Sequence, residues 1–170
     1  MPWMLCVAQA LYPHKQLSRG QQNIYALHIA NNMEQIVLDT NCLISSLKRD
    51  SMYYPIWRDF IGGKYCLCFT DDILNEYEEI ITRQTKSPEI AHNVILAIMN
   101  RTNTRHIEVY YHFELIKADD DDNKFVDCAI KAQAKCIVTE DKHFNELKLI
   151  DFPKVDVIGI NDFLRMLEQL

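Results

Sequence analysis

The sequence has 170 residues, of which 48% are hydrophobic, and this is enough material for one compact domain with a core. It carries 24 acidic residues against 18 Lys and Arg, a formal charge of −6 at pH 7. This balance excludes a broad basic surface that would hold nucleic acid by phosphate contacts alone. A nucleic-acid ligand would need bound cations or a local basic patch.

From Met33 onward, short apolar runs alternate with longer amphipathic ones, as in a parallel sheet whose strands alternate with helices. In chain order the pattern predicts strand 34–38, helix 40–48, helix 53–61, strand 64–69, helix 71–83, helix 88–100, strand 105–109, helix 122–134, strand 136–138, helix 141–147, strand 155–158 and helix 161–170. The predicted fold class is α/β, a three-layer sandwich around a central, mainly parallel sheet of about five strands.

Residues 1–32 precede this pattern and are predicted to be an N-terminal extension to a domain over residues 33–170. They lack the basic start of a signal peptide, and no segment approaches the ~20 apolar residues needed to span a bilayer. A non-native upstream extension, a poorly ordered tail and an accessory helix all stay open for these residues. No role in the chemistry is assigned to them.

The cysteines lie in apolar segments and lack the paired spacing of a zinc site. They are Cys6, Cys42, Cys66, Cys68, Cys128 and Cys136. We interpret them as reduced core thiols, which predicts a cytoplasmic protein. For Cys66 and Cys68, which share one face of a predicted strand, core packing is favoured over metal binding.

Four acidic residues are placed where strands end. In open parallel sheets, reactive groups gather beyond the carboxyl ends of the strands. Asp39 directly follows the first strand, and Asp141 follows strand 136–138 by three residues. Asp122 begins a helix whose apolar stripe packs on the sheet, and Glu76 lies about one turn into the helix after the second strand. We therefore expect these four side chains at one edge of the sheet.

Four carboxylates without matching bases would repel one another unless cations neutralised them. Hard oxygen ligands of this kind suit Mg²⁺ or Mn²⁺ better than zinc. Two such ions roughly 3.5–4 Å apart can activate a water and stabilise the leaving oxygen in phosphodiester hydrolysis. The pattern thus indicates a metal-dependent hydrolase of phosphodiesters.

Each acid also has a simpler interpretation. Asp39 and Asp122 could be helix N-caps, and Asp141 a turn or cap residue. Glu76 could be a solvated helix residue, with Glu78 and Glu79 as rivals for its role. The preceding acids, Asp119, Asp120 and Asp121, are interpreted as a solvated loop.

The basic residues give a weaker signal. Lys48, Arg49, Lys124 and Lys142 lie near the predicted edge and could meet phosphates, but no substrate-binding residue is assigned. The histidines are interpreted as surface or packing residues. His143 is the exception to examine, because it lies two residues from Asp141.

The segments that carry the four acids resemble the four successive motifs of PIN-domain proteins. They are residues 36–41 (Ile-Val-Leu-Asp-Thr-Asn), 73–77 (Ile-Leu-Asn-Glu-Tyr), 121–129 (Asp-Asp-Asn-Lys-Phe-Val-Asp-Cys-Ala) and 137–141 (Ile-Val-Thr-Glu-Asp). More narrowly, they are similar to the bacterial and archaeal branch identified as toxins of toxin-antitoxin systems. The likeness covers roughly residues 33–170 and keeps the order and spacing of the motifs.

The resemblance implies a Mg²⁺- or Mn²⁺-dependent ribonuclease. It implies Asp39, Glu76, Asp122 and Asp141 as catalytic and metal-binding acids. Asn41 and Thr139 would be polar supports, and Asp127, about 140° round the helix from Asp122, a further supporting acid. It also implies an RNA substrate, a small antitoxin protein as partner and a homodimer. The lack of a long apolar segment predicts no membrane association.

Two other functions stay open. A phosphatase of the haloacid dehalogenase type would use an Asp nucleophile after the first strand, but it would want a second Asp where this chain has Asn41. A catalytically inactive PIN-like module that binds RNA is the non-enzymatic alternative. RNA cleavage that is lost when Asp39 is changed would distinguish a nuclease from both of these alternatives.

Overall fold

A computed structural model describes residues 33–170. The expectations for residues 1–32, including the placement of Cys6, lie outside the described residues. The strands are β1 (Gln35–Leu38), β2 (Cys66–Phe69), β3 (Thr104–His106), β4 (Cys136–Val138) and β5 (Val157–Ile158). The α-helices are α1 (Thr40–Leu47), α2 (Tyr54–Ile61), α3 (Asp71–Thr85), α4 (Pro88–Met99), α5 (Asn123–Ala132) and α6 (Ile160–Leu167), and 3₁₀ turns span Asp120–Asp122 and Lys142–Leu149.

The strands form one parallel sheet in the order β3-β2-β1-β4-β5. The chain moves outward from β1 through β2 to β3, and then returns across the sheet to β4. Connections between parallel strands are right-handed, so connections that run in opposite directions along the sheet place their helices on opposite faces of it. The sheet and the two sets of helices form three layers. The predicted α/β sandwich with a five-stranded parallel sheet is therefore confirmed.

The reversal of direction falls between β1 and β4. At such a switch point the two connections leave in opposite directions, and a crevice opens at the carboxyl ends of the strands. Register places Leu38 opposite Val138, so both strands end at the same level. The segments that follow them, starting at Asp39 and Thr139, border the crevice together.

The core consists of the buried sheet and the apolar faces of the helices. All four residues of β2 are buried, as are Ile36, Val37 and Leu38 of β1. Strands covered on both faces are continuously apolar in this way. The cysteines at 42, 66, 68, 128 and 136 are buried free thiols, which confirms the core interpretation for these five.

Several element bounds differ from the sequence-based ones, and the main errors concern edge strands. Strand 105–109 was predicted too far along the chain: β3 ends at His106, because its partner β2 ends at Phe69, which pairs with His106. Strand 155–158 was too long, since β5 is limited to the two residues that pair with β4. The helix expected at 141–147 is a 3₁₀ segment, Lys142–Leu149.

The ends of the other helices lie within three positions of the predicted ends. Two of these helices end at a residue in the left-handed conformation. Lys86 (φ 56°) ends α3 and Gln133 (φ 54°) ends α5. No helix within residues 33–170 is both long and apolar enough to cross a membrane.

Candidate metal centre

Asp39 is the central acid of the site. Its backbone N–H donates to the Val138 carbonyl at 3.0 Å, which fixes the end of β1 against the end of β4. Oδ1 accepts from the Asn41 N–H at 3.4 Å and so caps α1, while Oδ2 accepts from Thr139 Oγ1 at 2.8 Å. The side chain is thus a helix cap and also part of the cluster, so the two interpretations of Asp39 are compatible.

Glu76 faces the end of β1. The fully buried Tyr77 next to it donates its hydroxyl hydrogen to the Leu38 carbonyl, which ties α3 to that strand. Glu76 Oε1 then accepts from Thr40 Oγ1 at 2.5 Å. Its rivals Glu78 and Glu79 are exposed, so Glu76 is the acid of α3 that reaches the neighbourhood of Asp39.

Asp141 is joined to Asp39 through one hydroxyl group. Thr139 Oγ1 donates to Asp39 Oδ2 and accepts from the Asp141 N–H at 2.9 Å. Asp141 Oδ1 accepts from the His143 N–H at 2.9 Å and thereby caps the 3₁₀ segment. Thr139 is 4% exposed, so its hydroxyl orients both acids from a buried position.

Asp122 makes no capping bond to α5, so the simple N-cap interpretation does not hold for it. Its Oδ2 lies 3.1 Å from His143 Nδ1, which is also 3.4 Å from Asp141 Oδ1. One imidazole therefore bridges two of the predicted acids. Asp119, Asp122 and His143 each offer a ligand atom within 4.8 Å of the others.

Sequence reasoning had left Asp119 out of the site and had only singled out His143 for examination. The signal for His143 was its position two residues after Asp141, on the turn that Asp141 caps. No comparable signal separates Asp119 from Asp120 and Asp121, because all three lie in one acidic run.

Burial and mutual repulsion shift the pKa values of the cluster. Burial raises the pKa of Asp39, the bond from Thr139 opposes this, and the charges of Glu76 and Asp141 raise it further. Burial raises the pKa of Asp122 to about 6, with added repulsion from Asp141, Asp119 and Asp39 against the opposing bond to His143. The same bond to Asp122 raises the pKa of His143. The cluster therefore favours added positive charge, whether protons or cations.

These shifts predict a pH-dependent stability in metal-free buffer. Because all three pKa values are raised in the folded state, the folded protein binds more protons than the unfolded chain between pH 7.5 and 5.5. The stabilisation is complete below the unfolded pKa values and is lost as pH rises through the folded ones. We expect the unfolding temperature, measured with chelator present, to rise by on the order of 3 °C over this interval as pH falls.

The control for this prediction is Asp122→Asn, which removes the group whose pKa is raised to about 6. The rise should be smaller in that variant. A wild-type unfolding temperature that falls as the pH is lowered from 7.5 to 5.5 would contradict the raised pKa values assigned to this cluster.

The two other predicted supports are placed differently. The side chain of Asn41 is exposed, and its backbone N–H contacts Asp39. Asp127 is 2% exposed and accepts from the Phe113 N–H at 3.0 Å, with His112 Nδ1 at 2.8 Å from its other oxygen. Asp127 thereby holds the segment after β3 against α5, and its role in the metal site stays a prediction.

The basic residues of the predicted edge differ in their exposure. Lys48, Arg49 and Lys142 are exposed, as phosphate-contacting residues should be. Lys124 is instead partly buried, with Nζ 2.7 Å from Glu76 Oε2 and 3.0 Å from Asp121 Oδ1. Burial lowers the pKa of Lys124, but these two bonds outweigh it and leave the pKa above its ordinary value.

Among the described residues, the one group of three or more possible ligands whose atoms all lie within 4.8 Å of one another is Asp119, Asp122 and His143, and Asp39, Glu76 and Asp141 are not in it. The four predicted acids all carry carboxylate oxygens, the ligands that a hard divalent cation prefers. Burial first, and then repulsion between the acids, raises the pKa values of Asp39 and Asp122, and a bound cation would relieve the repulsion. The described cluster contains no thiolate, since the cysteines of residues 33–170 are buried in the core. Mg²⁺ or Mn²⁺ suits these ligands better than zinc.

The family model of the PIN domain matches residues 35–143, well over half of the chain, and this range includes all four acids. None of the curated proteins matches the chain. PIN domains are generally nucleases that use divalent metals and act on nucleic acid. The chain belongs to the PIN-domain family.

Proposed function

We propose that this protein is a metal-dependent ribonuclease that hydrolyses RNA phosphodiester bonds by a two-metal mechanism. The observation that carries the proposal is the linkage of four acids around the ends of β1 and β4. Thr139 joins Asp39 to Asp141, and His143 joins Asp141 to Asp122. Thr40, which adjoins Asp39, holds Glu76.

The proposed ligands are Asp39, Glu76, Asp122 and Asp141, with Mg²⁺ or Mn²⁺ as cofactor. The bound ions would supply a water of lowered pKa and the positive charge that stabilises the leaving oxygen. The residues of the chain fix the ligands beforehand. Thr139 donates a hydrogen bond to Asp39, and Nδ1 of His143 lies 3.1 Å from Asp122 and 3.4 Å from Asp141.

The net charge of −6 bears on how the substrate is held. Because the acidic chain would repel a phosphate backbone, we infer that the bound ions make the principal phosphate contact. The exposed Lys142, next to Asp141, is the basic residue best placed to add a second contact. We assign the activity to residues 33–170 and none of it to the extension.

We further propose a place in the toxin-antitoxin branch of the family, with a small antitoxin protein as inhibitor, a homodimer and a cytoplasmic location. The motif resemblance supports the branch, and the buried free thiols support a reducing compartment. An inactive RNA-binding module is the remaining alternative. The family match disfavours a phosphatase of the haloacid dehalogenase type.

The test is cleavage of a labelled single-stranded RNA by the full chain. We expect cutting with Mn²⁺ or Mg²⁺, loss of cutting with a chelator, and recovery when the metal is added back in excess. A single-stranded DNA of the same sequence should be cut more slowly. RNA binding without cleavage under every metal condition would contradict the nuclease and favour the inactive module.

A further inference from the structure

Lys124 lies among the acids of the site. A lysine that binds a substrate phosphate is expected at an exposed position instead. Its side chain is 16% exposed and its Nζ is 2.7 Å from Glu76 Oε2. A second contact, 3.0 Å from Asp121 Oδ1, holds the ammonium from the loop side. The ammonium is therefore a partly buried cation that is paired with one of the proposed metal ligands.

The surroundings of this pair are acidic. A cleft of about 610 Å³ borders Glu76, and Lys124 is the one lysine or arginine among the described residues that line it. Its acidic lining residues are Asp72, Glu76, Glu79, Glu114, Asp120, Asp121 and Asp127. The charge of Lys124 is thus the local compensation for Glu76 in the metal-free protein.

Both carboxylate oxygens of Glu76 are already engaged. Oε1 accepts from Thr40 Oγ1 and Oε2 from Lys124 Nζ. A divalent cation that binds Glu76 would meet a positive charge within hydrogen-bonding distance of its own ligand. Like charges at this separation repel strongly in a site partly shielded from water. The ammonium therefore opposes binding of the cation at Glu76, and binding there is favoured when the ammonium moves away.

The other three acids differ in this respect. Asp39, Asp122 and Asp141 are held by hydroxyl, imidazole and backbone groups, and no lysine or arginine of the described residues forms an ion pair with them. A first divalent cation would therefore meet no paired lysine or arginine at these acids, and the group it would displace there is the imidazole of His143, which is a weaker base than a lysine amine.

We propose that Lys124 occupies the cation position at Glu76 in the metal-free protein and competes with divalent metal for that carboxylate. The proposal rests on the ligand assignment of the proposed function. The metal is bound first by Asp39, Asp122 and Asp141, and the position at Glu76 is filled only when Lys124 withdraws. The released ammonium is then free to contact a substrate phosphate.

A purely structural role for Lys124 makes the opposite prediction. If the lysine only braced Glu76, its removal would loosen a ligand and weaken metal binding. If the lysine competes with the metal, its removal strengthens binding, because Thr40 still holds Oε1 of Glu76. The direction of the change in metal affinity separates the two.

The experiment is calorimetric titration of the metal-free full chain with Mn²⁺. Lys124→Met keeps the length of the side chain without its charge and should bind Mn²⁺ about tenfold more tightly than wild type. Lys124→Arg keeps the charge and should stay near wild type. Lys131→Met is the matched control, an exposed lysine on the same helix, and should also stay near wild type.

A second set of titrations in the Glu76→Gln background identifies the partner. There the gain from Lys124→Met should largely disappear, because the carboxylate for which lysine and metal compete is gone. Unchanged or weaker Mn²⁺ binding by Lys124→Met in the wild-type background overturns the proposal, as does a gain that survives Glu76→Gln.

The titrations also separate this inference from the proposed function. Mn²⁺ binding with the expected gain, but without RNA cleavage, would leave the competition standing and remove the nuclease. RNA cleavage by the wild type, with no gain in Mn²⁺ affinity in Lys124→Met, would support the nuclease and overturn the competition between Lys124 and the metal. A wild-type chain that binds no Mn²⁺ would overturn both.

Discussion

Replacing Asp39 with asparagine is expected to lower RNA cleavage by roughly 10³-fold or more, a loss of the size seen when one preorganised charged or polar group is removed from an active site. Asp39 stands between the other acids: burial raises its pKa, repulsion from Glu76 and Asp141 raises it further, and Thr139 joins it to Asp141. The neutral amide keeps the shape of the side chain but is a poor ligand for a hard cation. The measurement is the rate of RNA cleavage at saturating Mn²⁺.

The fold should survive this change. An asparagine oxygen can still accept from the Asn41 N–H and cap α1, and the variant loses a buried carboxylate that burial and neighbouring charges disfavour. We expect the unfolding temperature of metal-free Asp39→Asn to equal or exceed that of wild type. Loss of cleavage together with loss of folding would show only that Asp39 is structural.

Asp59→Asn is the matched control for Asp39→Asn. Both carboxylates are 7% exposed, but Asp59 lies in α2 and pairs with Arg58 and Lys64. Its neutralisation leaves two cations with a weaker partner and should lower stability while cleavage persists. The two variants should thus show opposite patterns. Cleavage by Asp39→Asn at the wild-type rate would remove this residue from the chemistry.

Replacing Thr139 with valine is expected to weaken Mn²⁺ binding about tenfold, and cleavage at limiting Mn²⁺ should fall by a similar factor. The hydroxyl is the single link between Asp39 and Asp141 that lies within the buried part of the site. Its loss frees the Asp39 carboxylate to rotate and removes a bond that lowers the pKa of Asp39, so protons compete better with the metal. Calorimetric titration with Mn²⁺ measures the effect.

Thr139→Ser separates the hydroxyl from the shape of the side chain. Serine keeps a donor to Asp39 and an acceptor for the Asp141 N–H, so its Mn²⁺ affinity should lie close to that of wild type. Equal losses in the serine and valine variants would mean that packing of the γ-methyl, and not the hydroxyl, supports the metal centre.

The positions that directly follow strands were the most predictable part of the site. Asp39 could be placed from the apolar run before it, since the end of a central parallel strand fixes where the next side chain starts. Asp141 lies three residues beyond the end of β4, so the strand pattern places it less closely than Asp39. The direction of Glu76 was harder to predict, because it depends on the long-range bond from Tyr77 to the Leu38 carbonyl.

The contacts between the acids could not be predicted from the sequence. His143 bridges Asp122 and Asp141 only because the 3₁₀ segment after β4 and the acidic turn before α5 meet in space. Lys124 was expected near the edge as a phosphate contact, but its pairing with Glu76 depends on how α3 and α5 approach each other. Strand β3 was misplaced for the same kind of reason, since its partner β2 sets where it ends.

The most direct test of the metal centre is the anomalous scattering of manganese in crystals of the full chain grown with Mn²⁺. We predict an anomalous peak in contact with Asp39, Asp122 and Asp141 at the ends of β1 and β4, and loss of that peak in Asp39→Asn crystals. Crystals at saturating Mn²⁺ with no peak among these acids, or with a peak that persists unchanged in Asp39→Asn, would contradict the assignment of this cluster as the catalytic centre.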